Sequence, residues 1–81
     1  KMIGVDKMAE IRNLYFQRSN GKHRLLATDV TEQEAYKEMQ KFMDEHNFKS
    51  YYTRSWEKDG VKWYDCGSWT EFFKWTNKEL K

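Results

Sequence analysis

A chain of 81 residues with a net charge of +2 has room for one domain, and a domain of that size buries only about 60 to 65% of its unfolded surface. Aromatic residues at 17% and hydrophobic residues at 38% exclude a disordered chain, despite 35% charged residues. The weak net charge excludes a bulk electrostatic argument for nucleic acid, and apolar runs of two or three residues exclude a helical membrane span.

The single cysteine, Cys66, has no internal disulfide partner, and one thiol without a signal peptide fits a reducing cytoplasm. Residues 1–9 carry no sustained period and are expected to be a flexible lead-in, leaving residues 10–81 as a single domain.

Glu10 to Arg18 and Lys22 to Thr28 flank Ser19-Asn20-Gly21, and Asn-Gly predicts a hairpin with a two-residue type I′ loop. That loop would set Phe16 opposite Leu25 and Leu14 opposite Ala27 on a core face. Tyr15 with Leu26, Gln17 with Arg24 and Asn13 with Thr28 would lie on the other face. Thr31-Glu32-Gln33-Glu34 then has the form of a capping box. The helix it starts gathers Ala35, Met39, Phe42, Met43 and His46 within about a 100° arc, with Tyr36 at its edge. Glu32, Glu38, Asp44 and Glu45 form an acidic outer face, and Asn47 with Phe48 suggests the helix end.

Lys49 to Glu57 and Val61 to Cys66 flank Asp59-Gly60, a second hairpin signal. A two-residue loop there pairs Trp56 with Trp63 and Arg54 with Asp65. Tyr52, Arg54, Trp56, Val61, Trp63 and Asp65 then share one face, and Tyr51, Thr53, Ser55, Tyr64 and Cys66 the other. Ser68-Trp69-Thr70-Glu71 resembles another capping box. It predicts a second helix with Trp69, Phe72, Phe73, Thr76 and Leu80 on its apolar stripe and Trp75 off it. The expected fold is α+β, in the order β-β-α-β-β-α: an antiparallel sheet of two hairpins with two helices packed on one face.

No catalytic or metal motif stands out. Cys66 with His23 or His46 would supply a thiol and a base, but without a nucleophile motif Cys66 reads as a small strand-end residue. Two histidines and one cysteine without ligand spacing do not make a metal site. The residues predict no enzyme, no cofactor and no metal.

Two surfaces could bind a partner. Arg12, Tyr15, Gln17, Lys22 and Arg24 make the first hairpin basic and aromatic, with no acidic residue between Ile11 and Thr28, a composition that can hold phosphate and stack bases. The second surface is Tyr52, Arg54, Trp56, Trp63 and Trp75. Trp, Tyr and Arg dominate binding hot spots because they bury large areas with few rotamers. One face of the second hairpin must look away from the helices and either face carries aromatics, whereas the acidic helix dilutes any positive field of the first hairpin, which favours the second surface.

The stretches Tyr15 to Lys22, Glu34-Ala35, Tyr51 to Arg54 and Gly67 to Phe73 resemble small uncharacterised phage and prophage proteins of Gram-positive bacteria. The resemblance implies host interaction or escape from host defence, including inhibition of a CRISPR nuclease, and names no target; with the aromatic second hairpin, the expectation is a non-enzymatic protein of the host cytoplasm, monomeric or homodimeric, that occludes a host protein surface. A hairpin leading to Thr31-Glu32-Gln33-Glu34-Ala35 also resembles the DNA-binding arms of phage integrases, although that family has three strands before its helix where two are predicted here. A nucleic-acid module and a sponge for a nucleotide signal, stacked between aromatics, are the alternative functions.

Overall fold

The computed structural model describes residues 10–46, 54–66 and 70–81. They form a five-stranded antiparallel sheet and one helix: β1 (Arg12–Gln17), β2 (His23–Val30), α1 (Glu32–Glu45), β3 (Ser55–Lys58), β4 (Val61–Asp65) and β5 (Phe72–Thr76). The strand order is β2-β1-β5-β4-β3. The expected β-β-α-β-β-α order is therefore corrected to β-β-α-β-β-β, because residues 72–76 form a strand where a second helix was expected.

β5 is the central strand, pairing with β1 on one side and β4 on the other. Both of its faces are covered, so its sequence, Phe-Phe-Lys-Trp-Thr, lacks the polar/apolar alternation of a half-exposed strand. A short run of bulky residues fits either a helix stripe or a doubly covered strand. What decides between them is that β5 bonds two hairpins into one sheet, and a helix there would leave each hairpin with two bare edges. Ser68 and Trp69, half of the expected second cap, lie outside the described residues, as do residues 1–9 and the expected helix stop at Asn47 and Phe48.

The helix follows its local signals. Thr31 accepts a hydrogen bond from the Glu34 amide at 3.2 Å while the Glu34 carboxylate accepts one from the Thr31 amide at 2.8 Å. Ala35, Met39, Phe42 and Met43 are buried against the sheet as their spacing predicts. Glu32 departs from the expected acidic outer face. It turns onto the sheet and accepts hydrogen bonds from Lys62 and from the Tyr64 hydroxyl. Tyr36 sets its ring edge-on to Tyr64 at 5.4 Å.

The two hairpins use their glycines differently. At Asp59-Gly60 both residues have positive φ, 53° and 79°, as a type I′ loop requires, and Trp56 faces Trp63 in the predicted register. At Asn20-Gly21 only Gly21 has positive φ, 86°. The Arg18 amide bonds the Lys22 carbonyl across a three-residue loop, and the Asn20 side chain takes the Lys22 amide at 2.9 Å. The register therefore slips by one: Phe16 opposes Arg24, Tyr15 opposes Leu25, and a bulge between Leu14 and Tyr15 restores Leu14 opposite Ala27. Leu25 is consequently exposed, and Leu26 packs against the core.

The core lies between α1 and the face of the sheet carrying Leu14, Phe16, Tyr64, Phe73 and Trp75. Phe16, Phe42 and Phe73 meet there with ring centroids 4.5 to 5.7 Å apart, in the tilted and edge-on arrangements that aromatic quadrupoles favour.

Candidate partner-binding face

The side of the sheet away from α1 is built by alternation from five strands. β3 contributes Trp56 and Lys58, β4 Trp63 and Asp65, β5 Phe72 and Lys74, and β1 and β2 add Tyr15, Gln17 and His23. Trp56 and Trp63, opposed across the hairpin, stack with centroids 5.9 Å apart and planes 17° apart. Phe72 sets its edge against both, at 6.1 and 5.4 Å. Trp56 remains 39% exposed on an edge strand whose four residues are all exposed.

Lys74 crosses from β5 to place its ammonium 4.0 Å from the centroid of Trp63, which attracts it through the ring quadrupole. Its Nζ also lies 3.0 Å from Nε2 of His23. An ammonium only donates, so Nε2 must accept, and the imidazole proton sits on Nδ1, 2.7 Å from the backbone oxygen of Lys81. Burial holds the Lys74 pKa below that of an ordinary lysine.

The cover over Lys74 is the segment after β5. Lys78 donates its amide to Thr76, Asn77 reaches the Ile11 carbonyl and Lys81 reaches His23. Five residues span about 16 to 18 Å, enough to return along β5 toward the Gln17 end of β1. Tyr15 and Lys74, beneath that path, are buried although they belong to the side without the helix. The returning segment thus divides this side into a covered half over β1 and β5 and an open half around Trp56, Trp63 and Phe72.

Of the expected partner-contacting residues, Trp56 and Trp63 come together as expected, and Arg54 pairs with Asp65 at 3.3 Å beside them. Tyr52 lies outside the described residues. Trp75 requires a correction. Its position on a strand turns it to the helix side, where it is 4% exposed and its indole N–H donates to the Val30 carbonyl. The expectation that it lay off an apolar helix stripe fell with the helix.

The basic first hairpin is dispersed. Arg12 pairs with Glu10 at 2.7 Å and Glu57 at 3.2 Å and lies over the Trp75 ring; its hydrogen bond to Glu10 outweighs burial and raises its pKa. The register slip puts Arg24 on the helix side, away from Tyr15 and Gln17, and Gln17 donates to the Thr70 carbonyl. Lys22 is exposed at the hairpin end. Phe72, Lys74 and His23 belong to the candidate face but were missed. The alternation of Phe72, Lys74 and Thr76 would have placed the first two, had 72–76 been read as a strand.

Across the sheet, burial pushes the Glu32 carboxyl up, but hydrogen bonds from Lys62 and Tyr64 together bring it below the ordinary range. Cys66 is buried, and its thiol contacts the Glu71 carbonyl. Among the described residues no three His, Cys, Asp or Glu side chains are grouped to hold a metal, and no helix is long and apolar enough to cross a membrane. No protein-family model, no curated protein and no solved structure matches this chain.

Proposed function

We propose that this chain is a non-enzymatic binding protein that occupies a surface of a partner protein through the open half of its sheet. The observation that carries the reading is Trp56, 39% exposed on an edge strand and stacked on Trp63 of the neighbouring strand, with Phe72 edge-on to both. A large indole left in water at the edge of a small sheet is costly unless a partner covers it. Lys58 gives the open half an exposed cation without an ion-pair partner among the described residues. The complementary surface is therefore apolar at its centre and acidic at its rim. The resemblance to phage proteins makes a host protein the class of partner, host-defence nucleases included, and occlusion the mode of action.

The test is Trp56→Ala, with Trp63→Ala as its companion, in capture experiments from a Gram-positive lysate at low and moderate salt. A specific partner should be retained by the native chain and lost by both variants while their urea midpoints stay close to native. Equal retention by Trp56→Ala would sink the reading. Nucleic-acid binding gains no comparable observation, since Arg12 and Arg24 lie apart from Tyr15 and Gln17.

A further inference from the structure

The sheet ends at β3, and among the described residues no strand lies beyond it. Its register fixes which backbone groups are already used. Trp56 faces Trp63, Lys58 faces Val61, and the Asp65 amide bonds the Arg54 carbonyl at 2.9 Å. Opposed residues in an antiparallel pair alternate between bonded and unbonded. Arg54, Trp56 and Lys58 therefore turn their N–H and C=O groups to β4, while Ser55 and Glu57 turn theirs outward, where among the described residues nothing meets them. We infer that β3 receives a strand of the partner protein: an extended acidic segment pairs antiparallel with Ser55 to Lys58 and becomes the sixth strand of the sheet.

The two edges of the sheet are not equivalent. At the β2 edge the pairing with β1 shifts register twice, and Asp29 has a positive φ of 52°. Bulges of this kind twist an edge away from further pairing. β3 pairs with β4 without a shift, so its outer backbone keeps the regular spacing that strand addition needs.

The register also sets the chemistry of the incoming strand. Arg54, Trp56 and Lys58 alternate onto the side away from α1. A residue opposite Trp56 would stand in an unbonded pair, where side chains approach most closely, and a large apolar side chain there covers the indole, 39% exposed without it. The residues two places before and after that one face Lys58 and Arg54. Arg54 already shares Asp65 at 3.3 Å, so Lys58, exposed and unpaired among the described residues, exerts the stronger pull on a carboxylate. Glu57 points to the other side and pairs with Arg12 at 3.2 Å, which disfavours a carboxylate directly opposite it. The fitting segment reads acidic, polar, apolar, polar, acidic. A second copy of this chain fits poorly: the antiparallel pairing that uses both Ser55 and Glu57 sets Trp56 against itself and Arg54 against Lys58 of the copy, like charges at both ends.

The inference rests on the partner-binding reading and adds how the partner is held. The experiment titrates the full, isotope-labelled chain with the capped peptide Thr-Glu-Thr-Phe-Thr-Glu-Thr, followed by amide shifts and hydrogen exchange. The peptide should bind saturably with Kd below about 1 mM and slow exchange at the Ser55 and Glu57 amides. N-methylation of either threonine beside the phenylalanine, whose amides face β3, should weaken binding at least about tenfold, whereas N-methylation of the phenylalanine, whose amide faces away, should not. Lysine in place of both glutamates should weaken binding about tenfold, and Lys58→Glu, with unchanged melting, should narrow that preference. Any of three results overturns the inference: no saturable binding, binding indifferent to N-methylation beside the phenylalanine, or a dimer of the chain alone that protects Ser55 and Glu57, which would give the edge to a second copy. A partner captured through Trp56 by a chain that binds no such peptide would leave the partner-binding reading standing and sink strand addition alone.

Discussion

The two sides of the sheet use the same kinds of side chain to opposite ends. Under α1, Phe16, Phe73, Tyr64 and Trp75 are sealed, and their polar atoms are matched within the fold: the Tyr64 hydroxyl to Glu32, the Trp75 indole to Val30. On the other side, Trp56, Trp63 and Phe72 form an equally dense aromatic group, but only the neighbouring half is roofed, by residues 77–81. Aromatic density by itself therefore does not separate core from contact surface. What separates them is whether another element reaches over the rings.

That contrast is most directly broken from the sealed side. Phe73→Ala empties the space between Phe16 and Phe42 and should cost about 3 to 5 kcal/mol, a large part of a small domain's stability, measured as a fall in urea midpoint. Glu32→Gln should cost about 1 to 2 kcal/mol at neutral pH, because it removes the charge that Lys62 and Tyr64 address. The same group predicts an acid limb. The Glu32 pKa is lowered in the folded chain, so its contribution is complete above its unfolded value of 4.5 and is lost as pH falls through the folded value. Glu32→Gln should flatten that limb, and an unaltered acid limb in the variant would show that Glu32 is not its source.

The roofed half is tested by Lys74→Met. Lys74 is 8% exposed, its pKa is lowered by burial, and its compensation is a cation–π contact and a histidine. The substitution should leave stability at neutral pH unchanged or raise it by about 1 kcal/mol. In the native chain stability should rise as pH climbs through the depressed folded pKa toward 10.5, since the unfolded lysine holds its proton longer, and that rise should vanish in Lys74→Met. The smallest stability effect belongs to the open half, where Trp56→Ala should change stability, read from the urea midpoint, by less than about 1 kcal/mol. A cost near that of Phe73→Ala would erase the distinction between the two sides.

Local chemistry made much of this legible. The Thr31 and Glu34 cap and the Ala35, Met39, Phe42, Met43 stripe are set within one helix, and the Asp59-Gly60 loop fixes Trp56 against Trp63 within a few residues. The failures are non-local. Whether Phe72 to Thr76 is helix or strand depends on β1, near the other end of the chain, as much as on neighbouring β4, and the misplacement of Trp75 and the omission of Phe72 and Lys74 follow from that one decision. The slip in the first hairpin has a smaller cause: a single carboxamide, Asn20, satisfies the Lys22 amide and makes a three-residue loop competitive with the two-residue one.

The central position of β5 also sets the order in which the molecule can be made. During synthesis β1 and β2 can pair early, but the other edge of β1 is bare until residues 72–76 emerge, and β3 with β4 waits as a separate hairpin. Pairings as distant as Asn13 with Thr76 slow folding, since the loop must close before any contact repays it. Until then Leu14 and Phe16 sit on an open strand edge, a template for another chain. A nascent chain stalled just short of Phe72 should therefore be more prone to self-association than either the first hairpin alone or the finished protein.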